Sequence, residues 1–514
     1  MQRKVIVLEL NEVPDRVIEH YIEARPHSNF AKVYARAARF VASTRDTQPL
    51  HPKISWQTFH RGVPDDKHGL IEYNQTESLG KKSYPLIWEL IAKAGRTIGV
   101  GASIGSYPVP ESNENVAFYL TDPFAPTFEA VPEYLGAFQQ FNNLAVQQSG
   151  RNVRSSGVAA KVIVRFLTNL PRLGFHPSTL YKVAHQLVVE RINKPRIVRR
   201  RSIQALMSFD VVMAQIIRQK PDFSTVFANH VAACMHRYWA ATFQDDYLEN
   251  KMPQEWRDTY GNEIHAAMDE ADYMLGRIKK FAEKNPEYSV VVLGSMGQEA
   301  IEHEVIHNQL LVSDMDRFMA MLGISSDGYT RLTGMEPEYV VKFNNAELLS
   351  HFNKACGKLI VDGYGPNLKL LNDTECSFDV FRNNIYVDHV IADGKKIAIE
   401  ESGLTIEPIQ DMSGSTAQHI PTGCCFVFNG KDDLSSWSDR EVEYDLNGVT
   451  ASLLHYLDAD VPEYMPEPIM PMMAALNNMD VQQQGAPARK KRRRGGQVKH
   501  DQENSSKAYN SVSG

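Results

Sequence analysis

The chain alternates short continuous apolar runs with longer stretches in which apolar residues recur every three or four positions. "KVIVLEL" at the N-terminus is broken only by Glu9, and "YSVVVLGS" carries three consecutive valines before Gly294 and Ser295. A run without polar alternation is what a strand looks like when both faces of its sheet are covered. "RTIGVGASI", "FSTVFAN" and "GCCFVFNG" read the same way. Between them lie helical patterns, the first being "DRVIEHYIEARPHSNFAKVYARAARF". Strands alternating with helices predict an α/β fold, a mostly parallel sheet sandwiched by helices. In such sheets ligands gather at the carboxyl ends of the strands. The tip formed by Ser295, Met296, Gly297 and Gln298 is therefore a place to look for chemistry.

Two stretches interrupt the alternation. Residues 126–221 hold three segments of helical spacing that are rich in Arg and Lys, and Glu190 and Asp210 are the only acids between 151 and 218. This predicts an inserted helical cap with a positive face, which is either simply solvated or attracts an anion. Residues 320–400 mix helix and strand patterns and predict a small α+β insertion. Residues 1–125, 222–319 and 401–475 remain as the α/β core. Residues 476–514, with "RKKRRR" among Gln, Gly and Ser, have the composition of a disordered basic tail, a candidate patch for nucleic acid or an anionic surface.

Composition narrows the class. With 43% hydrophobic and 23% charged residues, the 514-residue chain is an ordinary globular protein, and a net charge of −7 says little at this length. Five cysteines, two of them adjacent at Cys424 and Cys425 and none in a CxxC pair, read as reduced thiols of a cytoplasmic protein rather than a thiolate zinc site. The apolar run after Met1 is too short for a signal peptide. Nothing approaches the roughly 18 apolar residues of a membrane span. The pattern carries no information on oligomeric state.

Polar clusters fall at the predicted strand ends: "ELNEVP", "PLHPKISWQTFHRGVPDDKHGL", "ANHVAACMHRYW", "GSMGQEAIEHE" and "GSTAQHIPTGCCFVFNG". Their order resembles the alkaline phosphatase superfamily, especially its type I phosphodiesterase/nucleotide pyrophosphatase and sulfatase-like branches. The second cluster is similar to the segment that carries that superfamily's Thr or Ser nucleophile, the third to its Asp-x-x-x-His segment, and the fourth to a strand ending in Ser-Asp-His-Gly. The fifth resembles the stretch with its last metal histidine, and "YDLNGVTASLLHYLDADVPEYMPEP" its closing helix. The resemblance implies an alkaline-phosphatase-like fold and an ester hydrolase or transferase. In that superfamily two metal ions are held by three carboxylates and three histidines.

The departures from that pattern bear on the chemistry. Carried across, the first aspartate becomes Asn11, the nucleophile falls on or near Pro52, the second aspartate becomes Ala232, and the Asp-His pair becomes Ser295-Met296. Only His236 and His419 persist. Amide, hydroxyl and thioether groups do not compensate a divalent ion. The expectation is therefore either no metal or a single zinc or manganese on His236 and His419, with a carboxylate from Glu299 or Glu12. His51, Lys53, Ser55, His236 and Arg237 are the candidate catalytic residues. Asn11, Glu12, Asn229, His230, Ser295 and Gln298 are the candidate substrate-binding residues. Lys and Arg with imidazoles at strand ends suit phosphate, sulfate or carboxylate, and His51 or His236 would serve as general base. His303 and His307 have the spacing of a helical pair and read as a polar helix face.

Three functions follow as expectations. The first is an enzyme on a phosphate- or sulfate-ester, related to a glycan, glycoconjugate or nucleotide-sugar, with a metal-poor site. The second is a catalytically silent protein of the same fold that binds an anionic ligand. The third is association with nucleic acid or an anionic surface through the cap and tail.

Overall fold

The computed structural model describes residues 3–73, 75, 83–111, 114–147, 160–332, 334 and 337–478. The basic tail, apart from its first three residues, lies outside the described residues.

A nine-stranded sheet organises the molecule. Seven of its strands are β1 (Lys4–Leu10), β2 (Ala38–Ser43), β3 (Ile98–Gly101), β4 (Val116–Leu120), β5 (Ala130–Val131), β6 (Phe223–Ala228) and β7 (Tyr288–Leu293). Across the sheet the order is strand Asp439–Asp445, β2, strand Thr422–Asn429, β7, β1, β6, β3, β4, β5. The β1 strand pairs in parallel with both β6 and β7, whereas Thr422–Asn429 runs antiparallel between β7 and β2. The molecule thus has the expected α/β class, a mostly parallel sheet between helices.

Both faces of the central strands are buried, which explains their unbroken apolar runs. Ile6, Leu8, Val226, Val290 and Val292 pack on one side with the helices His230–Thr242 and Glu263–Lys284. Val5, Val7, Val291 and Leu293 pack on the other with the helices Pro52–Arg61 and Leu446–Tyr456. The exception inside β1 is Glu9, fully buried and held 2.8 Å from His60 Nε2. The helical pattern read through residue 40 is cut short: the helix Asn29–Tyr34 ends and Ala38–Ser43 enters the sheet. Phe40 and Ala42 point into the core there, so sheet pairing prevails over helical spacing.

Among the described residues, the α-helices Gly136–Gln147, Ala160–Leu173, Pro177–Ile192 and Arg200–Gln219 lie between β5 and β6. Much of their positive charge is neutralised by acids. Glu263 takes Arg196 and Arg199, Glu270 takes Lys182, and Glu190 takes Arg200. A third hydrophobic cluster, from Leu310 to Leu404, forms the small α+β unit, which the pairing of Asn308–Val312 with Leu404–Pro408 closes at its base. His303 and His307 are not on a helix. They lie on an irregular stretch leading into Asn308–Val312, where His303 stacks edge-on against Tyr247 at 4.7 Å.

Candidate functional site

The carboxyl ends of β1, β3 and β6 open into a cavity of about 250 Å³. Asn11, Glu12 and Asn229 form its floor, His51 and Pro52 one wall, and His236 and His419 another. Arg201, Gln204 and Ser208, from the cap helix Arg200–Gln219, line it from above.

Glu12 is the centre of the floor. It follows β1 in a left-handed conformation (φ 58°), which costs a non-glycine residue roughly 1–2 kcal/mol. The turn brings a buried carboxylate under two imidazoles. His236 Nε2 lies 2.9 Å from Glu12 Oε2 and His419 Nε2 3.2 Å from the same oxygen. Gln298 Nε2 also donates to Oε2, and Asn11 Nδ2 donates to Oε1 at 2.8 Å. Burial alone would raise this carboxyl, but the charges of His419 and His236 hold it well below the usual carboxylate range. His419 moves the other way: burial would lower it, and Glu12 raises it above the ordinary imidazole value.

Separate elements deliver these groups. His236 sits one and a half turns into the helix His230–Thr242, while His419 lies on the strand Ala417–Ile420 directly opposite Gln298 on Gly297–Ala300. The far nitrogens are anchored. His419 Nδ1 donates to the Leu50 carbonyl at 2.8 Å, and His236 Nδ1 lies 3.2 Å from the Ala417 carbonyl and 3.2 Å from Ser415 Oγ. A carbonyl only accepts, so His419 directs its Nε2 at the carboxylate. That buried Nε2 has no hydrogen-bond partner of good geometry.

An imidazole held by a carbonyl at one nitrogen presents the other in the orientation that metal-binding histidines adopt. The ligand atoms of Glu12, His236 and His419 all lie within 4.8 Å of one another, and one carboxylate with two imidazoles suits zinc or manganese. The residues therefore fit a single divalent ion. Glu299, the other carboxylate that the sequence offers, is exposed and faces Gln418.

The remaining predicted residues divide between cavity and core. Asn11 Oδ1 accepts from Trp56 Nε1 at 2.7 Å, which turns its amide nitrogen toward Glu12 and Asn229. Asn229 uses its oxygen on Asn11 and faces the cavity. His51 caps the helix Pro52–Arg61, its Nδ1 accepting from the Lys53 backbone N–H at 3.1 Å. Burial and the Lys53 charge keep His51 neutral, well below the ordinary value. Its proton is therefore on Nε2, and it offers the cavity a donor rather than a base. His230 borders the cavity, but its Nε2 donates to the Ala267 carbonyl at 3.0 Å. Arg237 also borders it and is bound to Asp411 at 3.0 Å, with Tyr238 on the same carboxylate.

Lys53, Ser55, Ser295 and Gln298 do not line the cavity. Lys53 is held between Glu72 at 2.8 Å and Glu338 at 2.7 Å. Ser55 and Ser295 are buried and bond to each other at 2.8 Å. Gln298 lies beneath the floor, between Glu12 and the Ala232 carbonyl. Pro52, at the start of its helix, lines the cavity and brings no hydroxyl to it.

Arg201 was not singled out by the sequence. It stands last in the run Arg199-Arg200-Arg201, whose first two members meet Glu263 and Glu190, while the third reaches the cavity. Burial and nearby Arg237 pull its guanidinium down to about 10. The run was visible as charge density, but nothing in its spacing distinguished the third arginine.

Comparison with known proteins yields fold likenesses only. No protein-family profile and no curated protein matches the sequence. Among solved structures, murine ectonucleotide pyrophosphatase/phosphodiesterase 5 overlays with a TM-score of 0.38 at 10% identity, over 90% of this chain and 96% of that one. The human counterpart gives 0.39 at 9% identity, over 92% of this chain and 100% of that one. Phosphonoacetate hydrolase from Sinorhizobium meliloti, in complex with phosphonoformate, gives 0.34 at 12% identity, over 82% and 90%.

Proposed function

We propose that this chain is an enzyme acting on a phosphate- or sulfate-ester, of glycan, glycoconjugate or nucleotide-sugar type, with one divalent ion, zinc or manganese, held by Glu12, His236 and His419. The observation that carries the reading is the convergence of those three ligand atoms on the cavity floor, with both imidazoles anchored from behind. Bound there, the ion supplies Lewis acidity toward an ester oxygen. The chain's own groups hold the substrate. His51 Nε2–H and the Asn229 amide donate to an anionic oxygen, and Arg201 adds positive charge from above. Asn11 and Gln298 fix the Glu12 carboxylate so that it cannot swing away. With Pro52 at the helix start, the attacking group is water or a second substrate rather than a side chain there. Five free, buried cysteines accord with a cytoplasmic setting.

The test is metal content together with turnover. The purified protein is expected to carry about one zinc or manganese per chain, and EDTA to abolish turnover on a panel of phosphomonoesters, phosphodiesters and sulfate esters. Glu12→Gln and His419→Ala should each lower both by about 10-fold or more. Turnover untouched by His236→Ala or His419→Ala would remove the proposal. A second reading, a binding protein without turnover, is favoured by Pro52 and by the neutral residues at Asn11 and Ala232. Saturable calorimetric binding of a sugar phosphate with no product from any ester would establish it.

A further inference from the structure

Two consecutive cap helices turn their apolar residues outward. On Ala160–Leu173 the buried face is Val162, Phe166 and Leu173, yet Ile163, Val164 and Leu167 are 40–58% exposed. On Pro177–Ile192 the pattern is inverted altogether. The buried residues are polar, Thr179 and Gln186, whereas Leu180, Tyr181, Leu187, Val188 and Ile192 are 44–82% exposed. At 100° per residue those five fall on one stripe of the helix. Gln186 is held inward by its bond to the Arg196 carbonyl at 2.7 Å, so this rotation is fixed by packing. Both helices lean on the same neighbour, Arg200–Gln219, and a three-residue connection joins them.

Basic residues lie beside these stripes and, at Arg191, within one. Lys161, Arg165, Arg172, Arg191 and Lys194 are exposed. The first helix has no acid, and the acid of the second, Glu190, is taken by Arg200. A wide apolar stripe edged by Lys and Arg is what a helix lying in a bilayer interface presents. Large apolar side chains gathered on one exposed stripe of a helix mark an interaction site rather than ordinary surface. A second copy of the chain is a poor occupant, because a two-fold contact would bring the same unbalanced positive charges together. No helix of the described residues is long and apolar enough to cross a membrane.

We propose that the helices Ala160–Leu173 and Pro177–Ile192 form a docking face for an anionic lipid bilayer, seating their apolar stripes in the interface and their Lys and Arg among the headgroups. The face belongs to the same helical cap that lines the cavity through Arg201, Gln204 and Ser208. The proposal is independent of the metal reading, since its test reads binding.

The experiment is vesicle sedimentation of the full chain. Vesicles of phosphatidylcholine with about 30% phosphatidylglycerol should bind the protein, and phosphatidylcholine alone should bind it much less, with the difference shrinking between roughly 0.05 and 0.5 M salt. The combined variant Leu167→Ser, Tyr181→Ser, Ile192→Ser alters exposed side chains only and should partition about 10-fold or more weakly. Arg165→Glu with Arg172→Glu and Arg191→Glu should have a similar effect, and it stands in if the first variant fails to fold. Unchanged binding by the apolar and charge variants alike would overturn the proposal and place any affinity in the basic tail. Absence of wild-type sedimentation would overturn it as well. So would a concentration-dependent dimer, lost in the serine variant, in a protein that ignores vesicles.

Discussion

Histidines in this protein are sorted by what their second nitrogen meets. His419 and His236 rest one nitrogen against a carbonyl and aim the other at Glu12, whereas His230 gives its proton to Ala267 and is buried without a charge partner. Burial brings His230 down to about 4. Its folded pKa is depressed from the ordinary 6.5, so between those values the unfolded chain binds the extra proton. The contribution of neutral His230 is present above about pH 6.5 and lost as pH falls, at up to about 1.4 kcal/mol per pH unit. His230→Gln is expected to flatten the fall in urea midpoint between about pH 6.5 and 5. An identical slope in wild type and variant would show that His230 does not titrate in this window. The sequence identified these histidines as a set at strand ends; which one faces the cavity depends on carbonyls far along the chain.

The helix Pro52–Arg61, which with its cap carries His51, Lys53 and Ser55, has all ten of its residues buried. His51 caps its start and Gly62 its end, the latter in a left-handed conformation with φ 64°. A Cβ added to Gly62 would also sit 2.6 Å from the Met465 side chain. Met465 is flexible enough to yield, so the backbone sets most of the cost. Gly62→Ala is expected to destabilise by about 1–2 kcal/mol, read as a lower denaturant midpoint at unchanged slope. An unchanged midpoint would mean the helix ends elsewhere. A helix buried on every side also explains the fate of its residues. Ser55 and Lys53 cannot all turn toward one cavity, and they meet Ser295 and the carboxylates of Glu72 and Glu338 instead.

Those carboxylates matter at the scale of the molecule. Glu338 belongs to the small α+β unit, so Lys53 fastens that unit to the core beside the cavity, and Gly334 of the same connection reaches the cavity wall. Lys53→Met would leave Glu72 buried and unpaired, a loss of about 3 kcal/mol. It should also speed amide exchange selectively in the strand Tyr339–Phe343. Uniform protection across that strand in the variant would show that the unit is held by other contacts. The charge on the cap follows the same rule: Arg196 and Arg199 are anchored to Glu263, whose helix lies outside the cap altogether.

The sequence by itself marked five of the sheet's nine strands, because strands covered on both faces need continuous apolar runs and such runs are local; β2, inside a helical pattern, was decided by sheet pairing. The neutral residues Asn11 and Ala232 are likewise readable from one line of text. Tertiary structure decided which charges remain available. The partners of Lys53, Arg237 and Arg199 stand at Glu338, Asp411 and Glu263, and no local pattern links residues so far apart. It also placed Glu12, and not Glu299, beside His236 and His419, because one left-handed turn after β1 sends that carboxylate to two imidazoles from elements that meet only in the folded chain.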